Sequence, residues 1–281
     1  MQGKTVVITG ATSGIGLVAA ERLAGMGARL VLIARDQYRG DVAMTKLRAA
    51  NPNAAHAIHY ADLSTIAEMK RVAATIAAAE AKIDVLINNA GALFNPRRET
   101  ADGLEMTFAT NHMAYFLVTH GLLDRLKATP GSRIVSTASD AHKGQTLDFD
   151  DLQARRSYSA FKVYGRSKLA NILFTRELAK KLAGTGVTAN CLHPGFVATR
   201  FGDNSQGLLK VAIGLAKSLI AISPEKGAQT IVYLASSPEV AQASGGYYYK
   251  NKLATPTAQA QDDASAKRLW QDTEKLAGVS W

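Results

Sequence analysis

An α/β fold built on a doubly wound parallel sheet is what this sequence predicts, and three observations predict it. Short β-rich runs alternate with longer helical runs along the 281 residues. Several of these runs, such as Val6-Val7-Ile8 and Val85-Leu86-Ile87, are unbroken apolar stretches, which suits strands covered on both faces and therefore parallel. The first run ends in a glycine-rich turn that opens a helix, as in a strand–helix–strand unit with a right-handed crossover. The expectation is a single domain over 1–281 with about seven strands flanked by helices. A covering segment is expected over about 200–224 and a C-terminal appendage over about 250–281.

In chain order the strands are expected at 4–9, 29–33, 55–60, 83–87, 132–137, 187–192 and 247–249. Helical stretches lie between them over 16–26, 37–50, 65–79, 104–126, 163–182 and 226–234. Asp36 stands where a carboxylate caps the helix at 37, and Asp62-Leu63-Ser64 reads as the start of the helix at 65. The segment 208–222 is amphipathic: Gly207, Lys210, Gly214, Lys217, Ser218 and Ala221 share a narrow small-or-polar stripe, and the rest is apolar. No linker or internal repeat interrupts the pattern. In such a sheet, ligands gather beyond the carboxyl ends of the strands. Chemistry is therefore expected just after Thr9, Ile33, Tyr60, Ile87, Thr137 and Leu192.

Composition narrows the function classes. Apolar residues make up 47% and charged residues 20%, enough for a sizeable core and unlike a disordered chain. One cysteine, Cys191, excludes a disulfide framework and a cysteine-rich metal site and suits a reducing compartment; within its strand it reads as a small buried hydrophobe. The net charge of +10 is spread out, with no basic run longer than pairs such as Arg97-Arg98, Arg155-Arg156 and Lys180-Lys181, so no nucleic-acid partner is expected. The histidines lack metal-ligand spacing. Residues 1–20 show no secretory signal. The stretch 208–222 holds two lysines and falls short of the ~20 residues a membrane span needs. A cytoplasmic, soluble protein is expected.

The turn after the first strand is Thr9-Gly10-Ala11-Thr12-Ser13-Gly14-Ile15-Gly16. Glycines let a backbone turn tightly and approach a pyrophosphate, and the helix start offers free N–H groups to that anion. The spacing is G-x3-G-x-G, not the commoner G-x-G-x-x-G. After the second strand, Ala34 takes the place where a carboxylate would accept a ribose 2′-OH, and Arg35 follows. A guanidinium there suits a 2′-phosphate, so NADP(H) is the expected cofactor. Asp62, just after the third strand, could accept a bond from an adenine amino group, and Asn88-Asn89-Ala90-Gly91 follows the fourth strand. Its small residues would let the chain pass beside the adenosine, and its Asn side chains can also bridge neighbouring strands.

T-G-x-x-x-G-x-G at 9–16, N-N-A-G at 88–91, a Ser at the end of the fifth strand and Y-x-x-S-K at 164–168, taken together in that order, resemble the short-chain dehydrogenase/reductase family, whose fold is the Rossmann arrangement. His193-Pro194-Gly195, the long stretch before the tyrosine and Ala266-Lys267-Arg268-Leu269-Trp270 resemble its retinol-dehydrogenase-like and WW-domain-oxidoreductase-like branch; no WW domain is present. The resemblance implies a tetrad of Asn111, Ser139, Tyr164 and Lys168. It implies a dinucleotide held by Gly10, Thr12, Ser13, Gly14, Ile15, Gly16, Arg35, Asp62, Leu63, Asn89, Ala90, Gly91, Tyr164, Lys168, Pro194, Gly195, Val197 and Thr199. Pro194-Gly195 would cover the nicotinamide, with Thr199 bonding its carboxamide or phosphate.

The residues agree with this reading. Tyr164 and Lys168 are i and i+4 on a helix and share one face. A phenol near pKa ~10 is a poor proton donor or acceptor at neutral pH, and a nearby ammonium together with an oxidised nicotinamide favours the phenolate. Ser139 would polarise the reacting oxygen, and Asn111 matches the Asn that passes protons by water to the lysine. Tyr158 and Lys162 form a rival Y-x-x-x-K pair, and Ser136 competes with Ser139. Ser167 completes Y-x-x-S-K only for Tyr164, and Ser136 lies inside the strand tract. A Ser139–His142 nucleophile lacks the Gly-x-Ser-x-Gly elbow.

From Ser139 to Tyr164 is 25 positions, longer than is usual in the family, so 143–160 form an insert that leaves the assembly state open. The apolar 208–222 segment suits a lid over a lipophilic substrate; a membrane-surface helix and a plain core helix are its other readings. The expected function is NADP(H)-dependent interconversion of a hydrophobic alcohol and its aldehyde or ketone. The alternatives are reduction of a conjugated C=C bond, as in the protochlorophyllide reductases, and non-catalytic NADP(H) sensing.

Overall fold

The computed structural model describes residues 1–196 and 222–281. Its strands are β1 (Thr5–Thr9), β2 (Arg29–Ala34), β3 (Ala57–Tyr60), β4 (Val85–Asn88), β5 (Arg133–Thr137), β6 (Thr188–His193), β7 (Tyr247–Tyr249) and β8 (Lys252–Ala254). They form one sheet in the order β3-β2-β1-β4-β5-β6-β7-β8. Every pairing is parallel except β7 with β8. The order reverses between β1 and β4, which opens a crevice at their carboxyl ends.

Strand alternation splits the core in two. Val7, Val31, Ile33, Leu86 and Ile134 face α3 (Ile66–Ala79), α5 (Ala114–Lys127) and α6 (Ala160–Lys181). Val6, Ile8, Leu30, Leu32 and Ile87 face α1 (Gly14–Gly25), α2 (Gln37–Ala50) and α7 (Pro224–Ser236). Both faces are covered, and this is why the strands read as unbroken apolar runs.

Two features differ from the expected layout, and the expected C-terminal appendage takes a definite form. The seventh strand does not end the sheet: Lys250 and Asn251, at φ 49° and 62°, fold it back into β8 as a two-residue hairpin. The helical stretch at 104–126 is divided. A short turn, α4 (Met106–Phe108), leads into a π-helical turn over Ala109–Met113 before α5 begins. The C-terminal appendage is an ordered helix, α8 (Asp263–Ala277), started by Asp262, whose carboxylate accepts from the Ala264 and Ser265 amides. Trp270 on α8 stacks on Phe174 at 5.7 Å and meets Phe116 edge-on at 5.0 Å. No helix among the described residues is long and apolar enough to cross a membrane. The 208–221 part of the amphipathic segment lies outside the described residues.

Candidate active site

The crevice begins at the β1–α1 turn. Gly10 has φ +69°, and a Cβ there would stand 2.7 Å from Ala90 Cα, so only glycine fits the turn and the close pass of the chain after β4. Thr9 Oγ1 accepts from the Asn89 and Ala90 amides at 2.9 and 3.0 Å. Asn89 Nδ2 donates to the Thr9 and Gly10 carbonyls, and its Oδ1 accepts from Thr137 Oγ1 at 3.3 Å. Asn89 therefore stitches β1, β4 and β5 together; the strand-bridging reading of this residue is the one its side chain shows. Gly16 is buried against the Gly10 carbonyl and Asn89. Thr12, Ser13, Gly14 and Ile15 are only partly buried, and the Ser13 side chain makes no capping bond to α1. The first N–H groups of α1 thus face the crevice with no side-chain cap, which fits a pyrophosphate.

Arg35 follows β2 and is exposed. Asp36 beside it is engaged elsewhere: its carboxylate accepts from the Arg39 amide at 2.9 Å and pairs with the Arg39 guanidinium at 3.3 Å. Those two bonds to Arg39 hold its carboxyl below the usual range. Asp62 is exposed, with Oδ1 accepting from the Ser64 amide, and Leu63 is buried. Pro194 and Gly195 follow β6 on the same side of the sheet, partly buried. Val197 and Thr199 lie outside the described residues.

Lys168 is at the centre of the second half of the site. It is 3% exposed, and its Nζ donates to the Thr137 carbonyl at 3.0 Å. The Tyr164 ring centre is 5.6 Å from that nitrogen and the Tyr115 ring centre 5.8 Å. A Cβ at Gly91 would stand 3.3 Å from Asn111 Oδ1 and 3.4 Å from Lys168 Nζ, so the three residues surround one point. Asn111 sits in the π turn, fully buried. Its Oδ1 accepts from the Ala92 amide at 2.8 Å, and its Nδ2 donates to the Ala92 carbonyl and to Ser167 Oγ. Ser167 Oγ in turn donates to the Tyr164 carbonyl at 2.7 Å. The π turn, a frequent device at functional sites, places this amide against both the β4 loop and α6.

Ser139 and Tyr164 are joined by a side-chain hydrogen bond. Ser139 lies two residues past β5 and starts a single 3-10 turn, where its Oγ accepts from the Ala141 amide at 3.1 Å. Gly165 lets that turn come close, since a Cβ there would lie 2.5 Å from the Ala141 carbonyl oxygen. Sequence reasoning missed Gly165; its signal was a glycine inside a helix, which costs stability and calls for a packing reason.

Burial sets the electrostatics of the chain's own groups at this point. Burial pushes the Lys168 amine down to about 7. Burial also raises the Tyr164 phenol well above its ordinary value, against the smaller lowering by Ser139. Among the chain's own groups burial is the largest influence on Tyr164 and favours the neutral phenol; the expected lowering belongs to the ammonium together with an oxidised nicotinamide.

The rival residues part from this cluster. Tyr158 Oη donates to the Phe94 carbonyl at 2.6 Å, and its phenol is pushed up to about 12 by burial and the Glu105 carboxylate. Lys162 is exposed. Ser136 is buried in β5, with no hydrogen-bond partner among the described residues. Cys191 is buried, and that burial pushes its thiol up to about 12. Among the described residues no group of three or more His, Cys, Asp or Glu could hold a metal ion.

Comparison with known proteins identifies the architecture. The family model described as short chain dehydrogenase matches residues 4–207. The chain belongs to the short-chain dehydrogenase family. This short-chain dehydrogenase is 40% identical to retinol dehydrogenase 14 of Homo sapiens, across 99% of the chain and 88% of the relative, and falls in the retinol-dehydrogenase-like branch. A crystal structure of an uncharacterized protein from Mycobacterium Paratuberculosis superposes with a TM-score of 0.79 at 30% identity, covering 99% of this chain and 95% of the other. L-Sorbose reductase from Gluconobacter frateurii, solved with NADPH and L-sorbose, gives a TM-score of 0.70 at 25% identity over 88% and 95% of the two chains. The short-chain dehydrogenase described here is thus an oxidoreductase of a family that uses NAD(P).

Proposed function

We propose that the protein is an NADP(H)-dependent oxidoreductase that interconverts a hydrophobic alcohol and its aldehyde or ketone. One observation carries the reading: Tyr164, hydrogen-bonded to Ser139, sits beside the buried Lys168 amine and the Asn111 amide at the carboxyl ends of β4 and β5. The bound dinucleotide supplies or accepts the hydride. In the reducing direction Tyr164 gives its phenolic proton to the carbonyl oxygen. Ser139 donates a hydrogen bond to that oxygen and stabilises the charge that grows on it. Lys168, drawn down toward neutral pH by burial, restores the proton from the side of Asn111. Burial keeps the proton on the Tyr164 phenol at neutral pH, and the alkoxide that hydride addition creates is the stronger base that takes it.

Preference for the 2′-phosphate rests on Arg35, exposed at the end of β2, while the adjacent Asp36 is committed to Arg39. Gly10, Gly14, Gly16 and the start of α1 would hold the pyrophosphate, and Pro194, Gly195, Val197 and Thr199 the nicotinamide side. The names of the relatives make a retinoid the first substrate class to try, and the branch resemblance adds steroid- and terpenoid-like carbonyls. The test is NADPH oxidation across aldehydes, ketones and enones of rising hydrophobicity, retinaldehyde included. Carbonyl reduction that falls ~100-fold or more in Tyr164→Phe supports the reading. Enone products that keep their carbonyl, or dinucleotide binding without turnover of any compound, would overturn it.

A further inference from the structure

Building on that reading, we infer that His193 is a positioning residue whose Nδ1 accepts the two backbone N–H groups that carry the Ser139 turn and the Pro194-Gly195 loop. The ring is buried at the last position of β6, between the two segments. Nδ1 stands 3.2 Å from the Asp140 amide nitrogen and 3.3 Å from that of Gly195. Both are donors, so Nδ1 carries no proton and the hydrogen sits on Nε2. Nε2 lies 3.5 Å from Asp140 Oδ2. The same carboxylate accepts from Tyr247 Oη at 3.0 Å and Lys143 Nζ at 2.9 Å. Tyr249 stacks on the imidazole at 4.9 Å and fixes its plane. The Ser139 carbonyl, on the other side of the turn, accepts from His142 Nδ1 at 2.7 Å. Ser139 is held from both directions, and one ring ties it to the loop after β6.

A second proton on His193 would set a third N–H against two others, and both backbone bonds would be lost. Among the described residues the groups that bear on this are Asp140, which favours the cation, and Lys143 and His142, which oppose it. Tyr247, Tyr249 and, beyond Tyr249, Lys250 complete the surroundings from the β7–β8 hairpin. Burial is the largest influence and holds the ring below its ordinary 6.5. The neutral ring is the working state, and acid releases the Ser139 turn.

The experiment compares wild type, His193→Asn, His193→Phe and Tyr164→Phe in NADPH-dependent reduction of decanal from about pH 5 to 8. Amide protection at residues 139–141 and 195 is followed by hydrogen exchange over the same range. Asn offers an oxygen close to where Nδ1 stands and cannot be protonated there; Phe offers no acceptor. His193→Phe is expected to lose about 10-fold or more in kcat, with the NADPH KM within about 3-fold. His193→Asn is expected to stay within about 3-fold of wild type at neutral pH and to lose the acid limb of the profile. Protection at 140 and 195 should fall together on acidification in wild type only. Wild-type kcat in His193→Phe, an acid limb that survives in His193→Asn, or protection that does not respond to pH overturns the assignment. If His193→Phe does not fold, the His193→Asn profile and the exchange data decide. Unchanged turnover in Tyr164→Phe, or no reduction by wild type, refutes the reductase reading instead, and exchange still judges His193.

Discussion

Replacing Lys168 by Met should make the folded chain more stable at mildly acid pH and progressively less so as the pH rises. Lys168 is 3% exposed, and burial moves its amine from the ordinary 10.5 to about 7. Its folded pKa lies below the unfolded one, so between those values the unfolded chain binds more protons than the folded chain. The Lys168 contribution to wild-type stability therefore rises with pH across that window and is flat below about 7. At about 1.4 kcal/mol per pH unit, the full interval is worth about 5 kcal/mol against folding when the amine must be charged. Methionine removes that penalty and forfeits the bond from Nζ to the Thr137 carbonyl, worth about 1 kcal/mol. The advantage of Lys168→Met should then shrink by about 4 kcal/mol between roughly pH 6 and 10. Tyr164 is present in both proteins, and its raised phenol keeps its proton through this window. The assay is urea unfolding of both proteins at several pH values, with the m-values compared. A stability difference that does not change with pH, or a Lys168 side chain titrating near 10.5 by NMR, would refute the reasoning.

Gly165→Ala should drive the Ala141 carbonyl, 2.5 Å from the new Cβ, away from α6 and carry Ser139 with it; kcat is expected to fall about 10-fold or more with the dinucleotide Kd little changed, by steady-state kinetics and titration calorimetry. Arg35→Ala should raise the KM for NADPH about 10-fold or more and leave that for NADH nearly unchanged, since only the 2′-phosphate needs the guanidinium; equal changes would count against Arg35. Trp270→Ala removes the ring stacked on Phe174 and set edge-on to Phe116 and Trp281; urea denaturation should show a loss of about 3–5 kcal/mol.

Much of the fold is legible in the sequence because both-face burial leaves continuous apolar strands, and the seven strands expected are seven of the eight present. The eighth was hidden in Lys250-Asn251, where the turn relies on positive φ at a lysine as well as at an asparagine, a weaker signal than Asn-Gly. The C-terminal helix carried its own signs: Asp262 at the start, Gly278 at the end in the left-handed region, and apolar Ala266, Leu269, Trp270 and Ala277 at helical intervals. The π turn at Ala109–Met113 left no mark on the helical pattern around it. One added residue per turn changes direction, not composition.

The sequence by itself determined what local sterics and periodicity control. These are the alternation of buried strands and helices, the glycine turn that opens α1, and Tyr164 and Lys168 one turn apart with Ser167 between them. Only the tertiary structure decided which hydroxyls and amines share a pocket. It sent Tyr158 to the Phe94 carbonyl, brought Asn111 to Gly91 and Lys168, and set His193 between two loops. It also decided the ionisation of Lys168, because an amine's pKa answers to the water it has lost and the charges around it. Those surroundings are assembled from residues far apart along the chain.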